Sequence, residues 1–354
     1  MKKLFIIFAI LCLAAPAMAA DWNFYGSARM STFYTDVDTD VSGVDNTSRT
    51  NWALQGNSRI GATVKVNDQI GGGFEYGSGP NLRKLYGTYT FGGGSELLLG
   101  QTYTPTSTYF YSNSVFDGDG DLLGVGQFYA GRNPMVQWKT GGFKIALVTP
   151  TTVADTANYV VDLIIPKIEA SYGFKRDSWF MDVYGGYQTY DLNYVVGNDP
   201  TVNAYVVGLG GGMNFGAFYV NLGGHIGRNL GNYGAYAPGF SGTRAINQSI
   251  NIDANQNEQD NDGWGALGVI GFNLSDMWSF EAGYGYETSE LDNDAAGDPS
   301  ETVQQMYVNA TINIAPGFFI VPEVGIAKYD YANTGDLDPQ PEVFYAGAKW
   351  QINF

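Results

Sequence analysis

Polar and apolar residues alternate with a period of two along most of the chain. From Trp52, one face reads Trp52, Leu54, Gly56, Ser58, Ile60, Ala62, Val64 and Val66, and the other Ala53, Gln55, Asn57, Arg59, Gly61, Thr63 and Lys65. The last segment repeats the pattern, with Phe344, Ala346, Ala348, Trp350, Ile352 and Phe354 on one face and Tyr345, Gly347, Lys349, Gln351 and Asn353 on the other. This period is that of β-strands with one greasy and one wet face. Such segments recur at 22–35, 52–66, 70–78, 82–92, 96–104, 133–140, 143–149, 166–175, 178–190, 203–214, 217–226, 264–273, 277–289, 302–314, 317–330 and 342–354. That makes sixteen, an even number that lets both termini lie on one side.

The connections alternate too. Short turns (NDQ 67–69, GGG 92–94, TGG 140–142, RDS 176–178, NFG 214–216, NLSDM 273–277, APG 315–317) take turns with long polar, acidic stretches at 36–51, 105–132, 149–162, 227–263, 289–301 and 331–341. A soluble sandwich would turn the greasy face inward, whereas a barrel with an aqueous lumen turns it out to lipid. Composition favours the barrel: 25 Tyr, 48 Gly, 15% charged residues, and no stretch of some twenty apolar residues to make a spanning helix. The predicted fold is therefore an all-β transmembrane antiparallel barrel of sixteen strands. Trp22, Tyr34, Trp52, Tyr103, Trp179, Trp264, Trp278 and Trp350, near strand ends, read as interfacial girdles.

The first residues read as a secretory signal. Lys2 and Lys3 precede the apolar run Leu4–Ala15, and Ala17 and Ala19 give the small-x-small pattern of a cleavage site. This predicts a leader at 1–20 and one barrel domain at 21–354. Cys12 leaves with the leader, so disulfides do not staple the mature chain. Losing the two lysines takes the formal charge from −17 to −19, which argues against nucleic acid or an anionic membrane surface as a partner.

Two stretches carry a family resemblance. LRKLYGTYTFGGGSELLLGQ (82–101) is similar to a hairpin of the general bacterial porins of Gram-negative outer membranes, and GRNPMVQWKTGGFKIALV (131–148) resembles the strand that follows their third external loop. Gln101 stands where that hairpin usually carries an arginine. The terminal Phe354 matches the signal read by barrel-assembly machinery in this family. The resemblance implies short periplasmic turns, long external loops and a third loop folded into the pore. It also implies a homotrimer embedded in outer-membrane lipid and lipopolysaccharide.

In such porins the third loop sets acids against a ladder of basic residues on the opposite wall. Here Asp117, Asp119 and Asp121, in VFDGDGDLLG (115–124), supply the acids, and twelve of the sixteen mature Lys and Arg fall before residue 177. Strand parity selects Arg29, Arg59, Lys65, Lys139 and Lys144 as pore-wall bases. Arg132 opens the strand after the loop. Of Arg83 and Lys84, adjacent on one strand, one should reach the pore and the other the rim. Tyr109, Phe110, Tyr111 and Phe116 are the candidate aromatic lining of the loop.

The aspartates match positions 1, 3 and 5 of an EF-hand loop, but Leu122 and Phe128 replace its Gly and Glu, so an EF-hand is excluded. A looser Ca2+ site made by these loop carboxylates and backbone carbonyls is the alternative reading. No GxSxG or HExxH motif occurs, and the single histidine, His225, reads as a rim residue, so an enzyme is not expected. The glycine runs 208–216 and 91–96 read as flexible strands and turns. The expected function is passive diffusion of ions and small hydrophilic solutes, cation-preferring from the net charge. The alternatives are a substrate-specific channel on the same barrel, or a barrel adhesin or structural protein acting through 227–263.

Overall fold

A computed structural model describes residues 20–39, 46–79, 81–163, 165–239, 246–293, 297–332 and 340–354. The expected leader, apart from Ala20, lies outside these residues, as do Arg244 and parts of the long stretches at 36–51, 227–263, 289–301 and 331–341.

Among the described residues, sixteen barrel strands run in chain order, each antiparallel to the next, and a separate two-stranded hairpin pairs Asn251–Ile252 with Glu258–Gln259. They are β1 (Asp21–Asp38), β2 (Thr47–Leu54 and Arg59–Lys65), β3 (Ile70–Gly77), β4 (Leu82–Thr90), β5 (Glu96–Tyr103), β6 (Arg132–Thr140), β7 (Phe143–Val148) and β8 (Tyr159–Asp162 and Lys167–Lys175). The second half comprises β9 (Trp179–Tyr194), β10 (Thr201–Phe215), β11 (Phe218–Arg228), β12 (Asn261–Asn273), β13 (Trp278–Leu291), β14 (Ser300–Ala315), β15 (Phe318–Ala332) and β16 (Glu342–Asn353). Strand β16 pairs back onto β1, from Ser27↔Asn353 to Asp38↔Glu342, and closes the barrel. Closure satisfies every edge, which an open sheet in lipid cannot do.

Strands β2 and β8 are each broken once. Against β1, the register of β2 passes from Met30↔Leu54 to Ser27↔Arg59. Against β9, that of β8 passes from Asp191↔Asp162 to Ile168↔Tyr187. Each break inserts two residues, and because the side-chain period is two, the inward and outward faces stay in phase.

The alternation is resolved as expected for a barrel in lipid. Across β9, β10 and β11, Val207, Leu209, Leu222 and Ile226 stand exposed on the outside, while Gln188, Val206 and His225 are buried inside. An apolar groove of about 710 Å³ on the outer face, between Leu222, Ile270, Met306, Val308 and Phe344, belongs to this lipid-facing surface. The chain end is fixed by paired backbone bonds, Gly26 N–H to Phe354 O at 2.7 Å and Phe354 N–H to Gly26 O at 3.0 Å. The Phe354 ring lies over Gly26, where any side chain would collide with it.

The wall is uneven in height. Strands β9, β10 and β13–β15 have 14 to 16 residues, whereas β3–β7 have 6 to 9. The tall wall, with the broken β8 at its edge, is where the long loops pack inside.

Replacing an outward residue at mid-wall with a charge tests the face assignment. Leu222→Arg is expected to cost ~2–4 kcal/mol of folding stability in lipid vesicles, read by urea titration. An unchanged midpoint would contradict the lipid-facing placement.

Candidate pore constriction

The third loop, residues 104–131 between β5 and β6, turns into the lumen. Its Asp-Gly repeat has a conformational reason: Asp117, Gly118, Asp119, Asp121 and Leu122 all take positive φ, at 50°, 76°, 67°, 48° and 58°. Glycine adopts this region freely and aspartate more readily than most residues. The alternation of Asp with Gly lets the tip coil tightly enough to point its carboxylates across the lumen.

A loop inside a barrel leaves backbone donors that water no longer reaches, and each needs an acceptor. Four buried glutamates on the tall wall supply them. Glu169 on β8 accepts from Thr106 N–H at 3.0 Å and from its hydroxyl at 2.8 Å. Glu281 on β13 accepts from Asn113 N–H at 2.7 Å and its side-chain amide at 2.6 Å. Glu287, on the same strand, accepts from Gly126 N–H at 3.0 Å. Glu323 on β15 accepts from Val115 N–H at 2.8 Å, Phe116 N–H at 3.2 Å and the Ser114 hydroxyl at 2.8 Å.

Glycines in the wall give the loop room. A side chain at Gly210 or Gly223 would strike the Tyr111 ring, and one at Gly285 would strike the Val125 carbonyl. The run 208–216, read from sequence as flexible strand, is instead a recess cut for the loop.

Opposite the recess, between loop tip and near wall, lies a cavity of about 760 Å³. Asp119 is its pivot. Arg29 on β1 approaches one oxygen at 2.5 Å, Lys349 on β16 the other at 2.8 Å, and the Asn57 amide donates at 2.9 Å. Asn57 stands in the break of β2, which is what carries it into the lumen. A second cluster gathers on buried Glu75 of β3, which receives Arg83 at 2.7 Å, Lys84 at 3.3 Å, the Tyr25 hydroxyl at 3.0 Å and Arg59 at 3.6 Å. Beside it Arg132 and Lys84 lie over the Tyr103 ring, at 5.1 and 5.4 Å from its centre. Tyr103, Phe110 and Tyr129 form an aromatic cluster with centres 5.7 to 6.4 Å apart.

No family model and no curated protein sequence matches the chain. Solved structures do. The outer membrane channel DcaP of Acinetobacter baumannii superposes with a TM-score of 0.68 at 15% identity, covering 95% of this chain and 97% of that one. An anion-selective porin from Comamonas acidovorans gives 0.57 at 13% identity, over 94% and 100% of the two chains. OmpF of Salmonella typhi, in complex with daunomycin, gives 0.58 at 12% identity, over 94% and 97%.

The fold is that of an outer-membrane porin.

Within this porin fold, several expected site residues change place. Arg29, Arg59, Arg83 and Arg132 line the cavity with Asp117, Asp119 and Asp121. Arg83 and Lys84 both turn inward, contrary to the parity argument, because a bulge between β3 and β4 passes from Glu75↔Lys84 to Tyr76↔Leu82 and leaves Arg83 as the extra residue. Lys65 is not a pore-wall base: it is exposed at the turn end and paired with Asp68 at 2.8 Å. Lys139 and Lys144 share the inward face but sit beside the turn that joins β6 to β7, outside the cavity lining, with Lys144 over the Tyr109 ring at 5.5 Å.

The aromatic lining is also revised. Phe116 is buried and stacked on Tyr345 with centres 3.7 Å apart, and Tyr109 packs against Tyr184 on the wall side. Tyr111 borders the cavity, but its ring fills the glycine recess. Phe110 alone of the four presents its ring to the Tyr103 cluster, and Tyr103, expected in a girdle, lies in the pore. His225 is not at a rim but buried, 2.9 Å from Glu287. Sequence reasoning missed Glu75, Asn57 and Lys349. Lys349 was open to discovery, since it is the sole cation on the wet face of the last strand.

The three aspartates do not converge on a common point for Ca2+. Asp119 is engaged by two cations and Asp117 accepts from the Tyr236 hydroxyl at 3.2 Å. Among the described residues no three acidic, histidine or cysteine side chains are grouped as a metal would require.

Their protonation is unequal. Burial pushes the Asp117 carboxyl above the usual carboxylate range against the opposing pull of Tyr236, and burial together with the charge of Asp119 pushes Asp121 well above it. Burial acts on Asp119 too, but Lys349 and Arg29 outweigh it and hold that carboxyl below the range. The sign follows. Asp119 favours the docked loop at neutral pH and loses that contribution as pH falls through its depressed value, whereas the charges of Asp117 and Asp121 disfavour it and are relieved by acid.

Two outcomes are expected. On acidification Asp121 and Asp117 should neutralise before Asp119, so reversal potentials in a salt gradient should move toward anions in two stages, the second below the ordinary carboxylate range; a single step at that range would contradict the ordering. Glu323→Ala should strand loop donors at a cost of about 1–3 kcal/mol each, read as faster hydrogen exchange at Val115 and Phe116.

Proposed function

We propose that this chain is an outer-membrane channel through which ions and small hydrophilic solutes diffuse passively. The observation that carries the reading is the cavity between the docked loop and the near wall, charged on both banks, with Arg29 and Lys349 reaching the loop at Asp119 and Arg59 and Arg83 held on the wall by Glu75. Opposed acid and base rows orient water and polar solutes across the opening and raise the barrier for apolar ones, which must displace that water.

The fixed charge of the constriction modifies the expected ion preference. Five cations line the cavity (Arg29, Arg59, Arg83, Arg132 and Lys349) against three aspartates, a formal surplus of 5 − 3 = +2. Lys84 and Glu75, directly behind, cancel. The acidic outer loops favour cations at the mouth, but a permeating ion passes closest to fixed charge at the constriction. We therefore assign the pore a mild anion preference there, in place of the cation preference read from the net charge.

The substrate-specific reading loses most of its lining, since Tyr109, Tyr111 and Phe116 pack toward the wall. At 6 to 9 residues, strands β3–β7 lie at or below the lower end of the 9–11 a tilted strand needs to cross lipid unaided. That supports placing neighbouring copies of a homotrimer against the short wall, with lipid and lipopolysaccharide around the rest. The exposure of Phe354 at the barrel seam supports our proposal that assembly machinery reads this residue.

Planar-bilayer recording tests the reading. Large unsaturated conductance is expected, and its absence would sink the channel assignment. Replacing Asp117, Asp119 and Asp121 together with Asn should shift the reversal potential further toward anions without unfolding the barrel. An unmoved potential would remove these residues from the constriction.

A further inference from the structure

The sixth loop, between β11 and β12, was expected to project outward, yet its first part runs inside the barrel. Leu230, Asn232 and Tyr233 are buried. Residues 229–239 are tied first to the tall wall: the Lys167 ammonium on β8 donates to Tyr233 O at 2.9 Å, and the Gln188 amide on β9 to Asn232 O at 2.9 Å. The segment then crosses over the third loop, with Tyr236 N–H donating to Tyr129 O at 2.7 Å. Gly124 of the third loop passes so close beneath Tyr236 and Pro238 that a side chain there would collide with both. It ends against β15, where the Tyr329 hydroxyl donates to Pro238 O at 3.1 Å. In a ring of sixteen strands, β8 and β15 lie on nearly opposite sides. The segment is a crossbar spanning the lumen.

At its middle, the Tyr236 side chain is not buried with its neighbours. It is 40% exposed, borders the same cavity as the Asp row, and donates to Asp117 at 3.2 Å. A tyrosine held at backbone level from both sides, with its exposed side chain in the cavity lining, is placed to act on what passes through it. We propose that the sixth loop is a second constriction element in series with the third, and that Tyr236 is a selectivity-determining residue of the pore. The assignment rests on the channel reading above. Tyr236 narrows the opening on the Asp117 side and, by engaging that carboxylate, withdraws one acid from the free charge of the acidic bank.

The single cysteine of the sequence, Cys12, lies in the expected leader, so an introduced thiol is the sole target in the mature chain. The experiment uses Tyr236→Cys in planar bilayers with charged methanethiosulfonate reagents, and Asn255→Cys, at the exposed tip of the same loop, as the control. Before modification Tyr236→Cys should conduct more than the parent. Modification should cut its conductance roughly two-fold, the anionic reagent moving the reversal potential toward cations and the cationic one toward anions. Asn255→Cys should respond to neither. Confirmed labelling of Tyr236→Cys with unchanged conductance and reversal potential would overturn the proposal. A parent protein that does not conduct would instead overturn the channel reading. Should Tyr236→Cys fail to give a heat-modifiable barrel, Tyr236→Phe decides: loss of the hydroxyl should move the acid limb of the reversal-potential profile to higher pH, and an unmoved limb overturns the proposal.

Discussion

A peptide segment drawn into the bore of a barrel loses water from its backbone, and every N–H so deprived must find an acceptor. This constraint governs the arrangement of the lumen. Glu169, Glu281, Glu287 and Glu323 meet it by accepting from loop backbone at four points along the tall wall. Glu323 alone serves two successive N–H groups and a hydroxyl. Carboxylates suit the task because each carries two oxygens with spare lone pairs, and their bonds to N–H are charge-assisted. The recess at Gly210, Gly223 and Gly285 is the steric counterpart of the same docking.

The docking also separates the charges by function. The glutamates of the tall wall are largely spent on loop backbone, whereas the basic residues of the first strands and of β16 face the open cavity. That is how a chain of formal charge −17 comes to have a constriction with more cations than acids. Charge counted over a whole sequence describes solubility and distant steering. What a solute meets depends on which charges remain free at the narrow place.

Much of the barrel was legible because lipid imposes a strict rule: outward residues must be apolar at every second position. Sixteen strands, their order and the short turns followed from that rule, and even the broken β2 kept its phase because its insertion is of two residues. Where a single residue is inserted, parity fails. The bulge at Arg83 turned two neighbouring bases to one side, and no alternation in Leu82–Thr90 signals it. Lys65 failed for another reason, since parity fixes a face but not a depth, and its face at the turn end opens to Asp68 and solvent. The acid partners were harder still. Glu75 lies fifty residues from Tyr25 and Glu323 over two hundred from Val115, separations that local pattern does not bridge.

The DGDGD stretch shows how one sequence feature can satisfy two demands. Its spacing resembled the start of a calcium loop because both structures need a chain that turns sharply while presenting carboxylates. In a calcium loop those carboxylates converge on an ion. Here successive left-handed residues fan them apart, Asp117 to the Tyr236 hydroxyl and Asp119 to Arg29 and Lys349, with Asp121 beside them in the cavity lining. The cations that neutralise Asp119 come from β1 and β16, the two strands whose pairing closes the barrel. The loop tip is therefore tethered at the seam where β1 and β16 meet, and its full contact, Arg29 and Lys349 together, draws on both strands.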